Sequence, residues 1–265
     1  MKTLPLGSGA PGFSKLRRRL EGQPLAPDVG AEALPSCEEA RRFWSERAWS
    51  EAAAVPAISQ LSLAMMRERF ELDVLGALTR IASDEVRHTE LSRDLANGLG
   101  GYTEDIPPEV PYEPARLAEI EACGAASWVL SIAVSETVSA ALMQARLRYT
   151  THPAVRDTLQ RIYDDEKAHA ATAWLICQNL VPLVAQSERD ALAEQALEIF
   201  EAIGQTFITA GLPTLERAQA RRVRKVTAER GLGAMPPDEA DQLVMRVVTQ
   251  TVAPRLRRAQ IPVQI

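Results

Sequence analysis

Two short stretches limit what this chain can fold into more than any other part of it: Ile81 to Leu91, IASDEVRHTEL, and Ile162 to Ala171, IYDDEKAHAA. Each contains Asp-Glu-x-x-His, with Glu85 and His88 in the first, Glu166 and His169 in the second, and Asp84 and Asp165 directly before the glutamates. The whole chain has three histidines, and two of them occur in this one pattern. Residues three apart on an α-helix share a face, with Cβ atoms roughly 5 to 6 Å apart, so a Glu and a His at that spacing grip one metal ion together. A strand would send them to unsuitable positions, so both stretches are read as helices carrying ligands inward.

A bundle in which two helices supply Glu-x-x-His and two others a single Glu each holds a pair of metal ions. The remaining two glutamates are found by periodicity. Trp44, Ala48, Glu51, Val55, Ile58 and Met65 recur at three and four residue steps, an apolar stripe with Glu51 as its one acid. Val129, Ile132, Glu136, Ser139, Ala140 and Met143 form a second such stripe around Glu136. Glu46, five residues from Glu51, is expected to point away from the first stripe. Glu51 to Glu85 spans 34 residues and Glu136 to Glu166 spans 30, each suited to two antiparallel helices and a short turn. Four facing carboxylates are unfavourable unless they are protonated or neutralised by cations, and two divalent ions provide that.

The expected organisation has three parts. Residues 1–35, with several Pro and Gly and the run Arg17, Arg18, Arg19, form an N-terminal arm. Residues 36–185 form the dimetal four-helix bundle. Ser36 with Glu39 reads as a capping box at its start, and Pro56 predicts a kink just beyond Glu51. Gly98, Gly100 and Gly101 end the second helix, and Pro107, Pro108, Pro111 and Pro114 mark a connection crossing the bundle. Pro153 opens the fourth helix. Residues 186–265 are a C-terminal helical extension packing on the bundle. Arg217, Arg221, Arg222, Arg224 and Lys225 give it a basic helix, read as a solvated face balanced by acids elsewhere in preference to a nucleic-acid patch.

Composition narrows the class. With 46% hydrophobic and 25% charged residues and a net charge of -5, the chain reads as globular and not as a general nucleic-acid binder. Cys37, Cys123 and Cys177 are scattered, with no Cys-x-x-Cys, so neither a disulfide framework nor a zinc knuckle is expected and a reducing cytoplasm is the default. No signal peptide is read at MKTLPLGSGAPGF, and no segment is expected to reach the roughly 20 apolar residues of a membrane helix.

Asp84-Glu85-Val86-Arg87-His88 resembles the Asp-Glu-x-Arg-His motif of bacterial multicomponent monooxygenase hydroxylases. The repeated Glu and Glu-x-x-His pattern, from about Ser36 to Val181, is similar to the ferritin-like superfamily of diiron proteins. The resemblance implies an all-α fold, a ferritin-like four-helix bundle with a crossover connection, here with additional C-terminal helices. It implies Glu85 and Glu166 as bridging ligands, Glu51 and Glu136 as terminal ones, and Asp84 and Asp165 bonded to the ligand histidines; metal-ligating histidines generally donate their other N–H in this way. Arg87 is read either as neutralising these aspartates or as a surface charge. No catalytic group beyond the ligands is assigned.

Individual families depart from this sequence. Ser92 stands where a ribonucleotide reductase radical subunit has tyrosine, Ile58 where ferritins commonly do, and Ala140 where soluble methane monooxygenase hydroxylases have threonine. No histidine follows His169 to serve as the seventh ligand of para-aminobenzoate N-oxygenases. The superfamily is therefore named and no family within it.

Carboxylate and imidazole ligands with open positions suit two iron ions, or manganese or a mixed Mn/Fe pair, over structural zinc. The resemblance implies dioxygen as co-substrate and oxidation of a small organic molecule by hydroxylation, N-oxygenation or desaturation. Its pocket is expected among Ala52, Ala53, Thr89, Ser139, Ala140 and Ala173. With no flavin, nicotinamide or iron–sulfur motif, electrons come from an external donor or reductase. A homodimer is compatible with the sequence. The competing readings are a ferroxidase or iron-storage protein and an RNA-modifying diiron hydroxylase.

Overall fold

The structure, a computed structural model, describes residues 3–5, 34–67, 69–103, 109–111, 114–209 and 217–264. Most of the expected arm at 1–35 and parts of the proline-rich connection lie outside the described residues. The architecture is all-helical: α1 Glu38–Arg67, α2 Leu72–Gly98, α3 Pro114–Tyr149, α4 Pro153–Leu180, α5 Gln186–Thr209, α6 Arg217–Glu229, α7 Pro237–Val247 and α8 Ala253–Arg258. A π-helical turn, Val248–Val252, joins α7 to α8. A three-residue antiparallel ladder pairs Thr3–Pro5 with Glu109–Pro111, placing Leu4 opposite Val110.

The helices start and stop for local reasons. Glu38 and Glu39 stand in the first turn of α1 and Arg67 in its last, each favourable to the helix dipole. The Ser36 capping box does not form at the expected place: α1 opens at Glu38, and the Cys37 carbonyl accepts the Arg41 N–H. Pro56 lies inside an α1 that continues to Arg67. Within α3, Gly124 has non-helical φ of 76° and ψ of 165°. Glycine enters that region without the Cβ clash other residues meet, so it divides α3 into two helical pieces. Pro153 opens α4 as expected.

The short links after Arg67 and Tyr149 fold α1 back along α2 and α3 back along α4, and the two pairs meet through α1 with α3 and α2 with α4. Apolar packing forms two clusters. Along α1, α2 and α4, one contains Ile58, Leu61, Met65, Leu78, Ile81, Ala173 and Trp174. The other contains Trp44, Leu91, Leu95, Leu159 and Ile162. Glu51, Glu85, His88, Glu166 and His169 fall between these clusters on each of the three helices. The polar layer thus has an apolar plug at either end.

Contrary to the sequence expectation, Gly124–Tyr149 is by length and composition apolar enough to cross a membrane, but 56% of its most apolar window is buried inside the chain. It reads as a core helix. The C-terminal residues enter the same clusters: Val244, Val247, Val252, Leu256, Ile261 and Val263 join one, Val223, Leu232 and Ala234 the other. On the basic helix, Arg221 pairs with Asp238 and Asp241, Arg222 lies 3.5 Å from Glu39, and Arg224 is buried.

Trp44 fixes this segment to the bundle. Its Nε1 donates to the Leu232 carbonyl at 2.9 Å, and Gly233 follows with φ at 107°. A Cβ at Gly233 would lie 2.5 Å from Trp44 Cζ2 and 3.1 Å from Val155 Cγ1. Gly233→Ala is therefore expected to destabilise the protein by about 2 to 4 kcal/mol, from backbone strain plus overpacking, as read by denaturant unfolding.

Candidate metal centre

Glu51 comes from α1, Glu85 and His88 from α2, Glu136 from α3, and Glu166 and His169 from α4; each is at most 9% exposed. Antiparallel pairing places them in one layer because Glu51 and Glu136 precede their turns by about as many residues as the Glu-x-x-His pairs follow them. Two groups of ligand atoms result, Glu51, Glu85 and His88 in one and Glu85, Glu136 and His169 in the other, with the atoms of each group within 4.8 Å of one another. Glu85 belongs to both. Glu166 lies outside either group, with Oε1 3.8 Å from His88 Nδ1 and 3.3 Å from Arg47 Nη2.

The imidazoles show which nitrogen faces the layer. His88 Nδ1 is 3.5 Å from Glu85 Oε2, and His169 Nδ1 is 3.3 Å from Glu85 Oε1 and 3.6 Å from Glu136 Oε2. Their Nε2 atoms point away and meet aspartates, His88 at 3.1 Å from Asp165 and His169 at 3.3 Å from Asp84. The pairing is crossed, each histidine bonding the aspartate of the opposite Glu-x-x-His helix. Arg87 completes the link, donating from Nη2 to Asp84 Oδ1 at 2.9 Å and to Asp165 Oδ2 at 2.5 Å. An aspartate on Nε2 favours the tautomer with hydrogen there and leaves the Nδ1 lone pair for a cation.

The fit to metal ions is visible in the atoms left over. His88 Nδ1, His169 Nδ1 and Glu136 Oε2 are buried without hydrogen-bond partners, and Glu51 Oε1 meets only the Arg47 guanidinium. Buried polar atoms are almost always satisfied, so ligand atoms left over around one space could hold a cation. Imidazole and carboxylate are the donors that iron and manganese accept. Of the small residues expected to line a pocket, Ala52, Thr89, Ser139 and Ala173 are buried, and the Thr89 hydroxyl donates back to the Glu85 carbonyl.

Sequence reasoning missed Arg47. It ion-pairs with Glu51, one turn on along α1, and reaches Glu166 across the bundle. The i, i+4 spacing to Glu51 was the available signal. Glu46, expected to point away, is itself buried and held by Arg42 at 3.2 Å.

Proton affinities follow from this arrangement. Burial, helped by Glu85 and Glu166, pushes Glu51 up to about 8 against the pull of Arg47. Burial, with Glu136 and Glu85, also raises Glu166 well above the carboxylate range. For Glu85, burial acts upward, but His88 and His169 outweigh it and hold the carboxyl low. Burial acts downward on the histidines, yet Glu85 and Asp165 raise His88 to about 10, and the nearby carboxylates of Asp84, Glu136 and Glu85 raise His169 to about 12. Without metal, protons on these groups stand in for cations.

Each raised group makes the folded state bind more protons than the unfolded chain. For Glu51 the excess extends from the ordinary carboxylate value to about 8, and for His88 from the ordinary histidine value to about 10. Stability of the metal-free protein is therefore expected to fall as pH rises from about 6 to about 9. Divalent ions should flatten that slope in thermal melts at several pH values. Asp165→Asn removes a charged acceptor from His88 Nε2 and is expected to weaken metal binding by about 10- to 100-fold, measured by competition with a chelator.

No protein-family model matches the sequence, and a search of curated proteins finds no match. The functional reading accordingly rests on the geometry of these side chains.

Proposed function

We propose that this chain is a ferritin-like non-haem diiron oxidase or oxygenase, which uses dioxygen to oxidise a small organic substrate. The observation that carries the reading is the pair of ligand groups sharing Glu85, with both histidine Nδ1 atoms buried and unpartnered beside it. On this reading α1 to α4 are the four bundle helices, and the connection between α2 and α3 is the crossover.

Two ferrous ions, if bound there, would supply electrons and open coordination sites for reaction with dioxygen, with an external reductant as electron source. Glu51, Glu85 and His88 would hold one ion and Glu85, Glu136 and His169 the other. Glu166, with Oε1 3.8 Å from His88 Nδ1 and 3.3 Å from Arg47 Nη2, would be available as a further ligand. Asp84, Asp165 and Arg87 hold the imidazole rings in orientation. The apolar clusters on both sides exclude water from the layer, which keeps the reaction away from solvent. Glu51, with its carboxyl raised to about 8, is the group here able to hold or release a proton near neutral pH.

The test is metal content together with the absorption spectrum after anaerobic loading with ferrous ion and exposure to oxygen. Wild type should hold about two irons per chain and show a visible band on oxygen exposure, as expected of a two-metal site. Glu85→Ala should lose both ions, whereas Glu136→Ala should weaken one. Retention of both ions by Glu85→Ala, or a spectrum indifferent to oxygen, would sink the proposal.

A further inference from the structure

The two groups of ligand atoms share Glu85 and are otherwise alike in kind, each adding one glutamate and one histidine. Their surroundings differ. Arg47 Nη2 ion-pairs with Glu51 Oε1, and the same nitrogen donates to Glu166 Oε1 at 3.3 Å. That Glu166 oxygen lies 3.8 Å from His88 Nδ1, so one guanidinium engages both carboxylates that accompany Glu85 on the His88 side. Around His169 Nδ1 stand Glu85 Oε1 at 3.3 Å and Glu136 Oε2 at 3.6 Å. Among the described residues no arginine or lysine pairs with Glu85 or Glu136, and Glu136 Oε2 is buried without a hydrogen-bond partner.

A guanidinium does not lose its proton in a protein, so Arg47 cannot give up its charge to make room for another cation. An ion entering among Glu51, Glu85 and His88 must share Glu51 Oε1 with Arg47. It meets the repulsion of that charge in an interior where such interactions are several times stronger than in water. The group of Glu85, Glu136 and His169 presents no such competitor. Arg47 is moreover held by nothing else: its Nε is buried without a partner, and among the described residues its contacts are the two glutamates.

We propose that Arg47 is a built-in competitor for metal at one of the two positions, so that the Glu85, Glu136 and His169 group fills first and the Glu51, Glu85 and His88 group second. The inference rests on the dimetal reading. Sharing Glu85 weakens whichever ion arrives second, and Arg47 decides which position that is. The contact that opposes loading also has a use without metal, because it compensates two buried acids that would otherwise stand uncountered.

The test is a calorimetric titration of the full, metal-stripped chain with manganese(II), so that reaction with oxygen does not intervene. Wild type should bind two ions in a tight and a weak phase; Glu136→Gln should remove the tight phase and Glu51→Gln the weak one. Arg47→Met, uncharged and similar in length, should strengthen the weak phase by about tenfold or more and leave the tight phase within about twofold. Without metal it should melt below wild type, and metal should raise its melting temperature by more. A merely structural arginine would give the opposite sign, since its loss would weaken metal binding. Arg47→Gln serves if the methionine variant folds poorly, and the two glutamate variants decide the order of filling by themselves. A tight phase lost in Glu51→Gln and kept in Glu136→Gln, or a weak phase unchanged or weakened in the Arg47 variants, overturns the proposal, while two ions bound by wild type leave the dimetal reading standing. Failure of wild type to bind metal at all ends both.

Discussion

Moving a carboxylate from water into an apolar interior costs several kcal/mol unless a cation or hydrogen bonds compensate it, and this chain buries four of them in one layer. The rest of the structure answers that cost. Protons on His88, His169, Glu51 and Glu166 offset part of it, and Arg47 offsets more by touching two of the acids at once. The protonated histidines face Glu85 through Nδ1 without a well-formed hydrogen bond. On the proposed reading a pair of divalent cations would replace those protons, neutralising the acids and occupying the Nδ1 lone pairs. Metal binding and folding would then be linked, because whatever binds the folded layer and not the unfolded chain stabilises the fold.

The ligand-bearing faces were legible because helical periodicity and the Glu-x-x-His spacing are local. Glu85, His88, Glu166 and His169 each announce themselves within five residues of sequence, and Glu51 and Glu136 as lone acids in apolar stripes. What could not be read there depends on contacts between helices. The crossing of Asp84 to His169 and of Asp165 to His88 requires knowing how α2 faces α4. Arg47, one turn before Glu51, also reaches Glu166 across the bundle, a contact that local spacing does not reveal. The kink expected at Pro56 and the break found at Gly124 show the limit of local rules. A proline removes one hydrogen bond, whereas a glycine permits a positive φ that other residues rarely adopt.

The C-terminal third carried no chemical motif, yet the fold uses it. Trp44, on the same helix as Glu51, donates its indole hydrogen to the Leu232 carbonyl, and apolar residues from 223 to 263 fill out both clusters that flank the polar layer. The added helices supply the second layer that a buried polar site needs.

The two sides of the layer are unlike, and the difference gives the centre a direction. On the α2 and α4 side, both imidazoles are fixed from behind by Asp84, Asp165 and Arg87, an arrangement in which negative and positive groups already match. On the α1 and α3 side stand the solitary glutamates, with Arg47 beside Glu51 and a Glu51 carboxyl raised to about 8 by burial. A network that is satisfied resists rearrangement, while one with spare donors and a titrating acid accommodates a change of charge. On the proposed reading, the groups free to exchange partners are the glutamates around Arg47, held against the crossed Asp–His–Arg frame between α2 and α4.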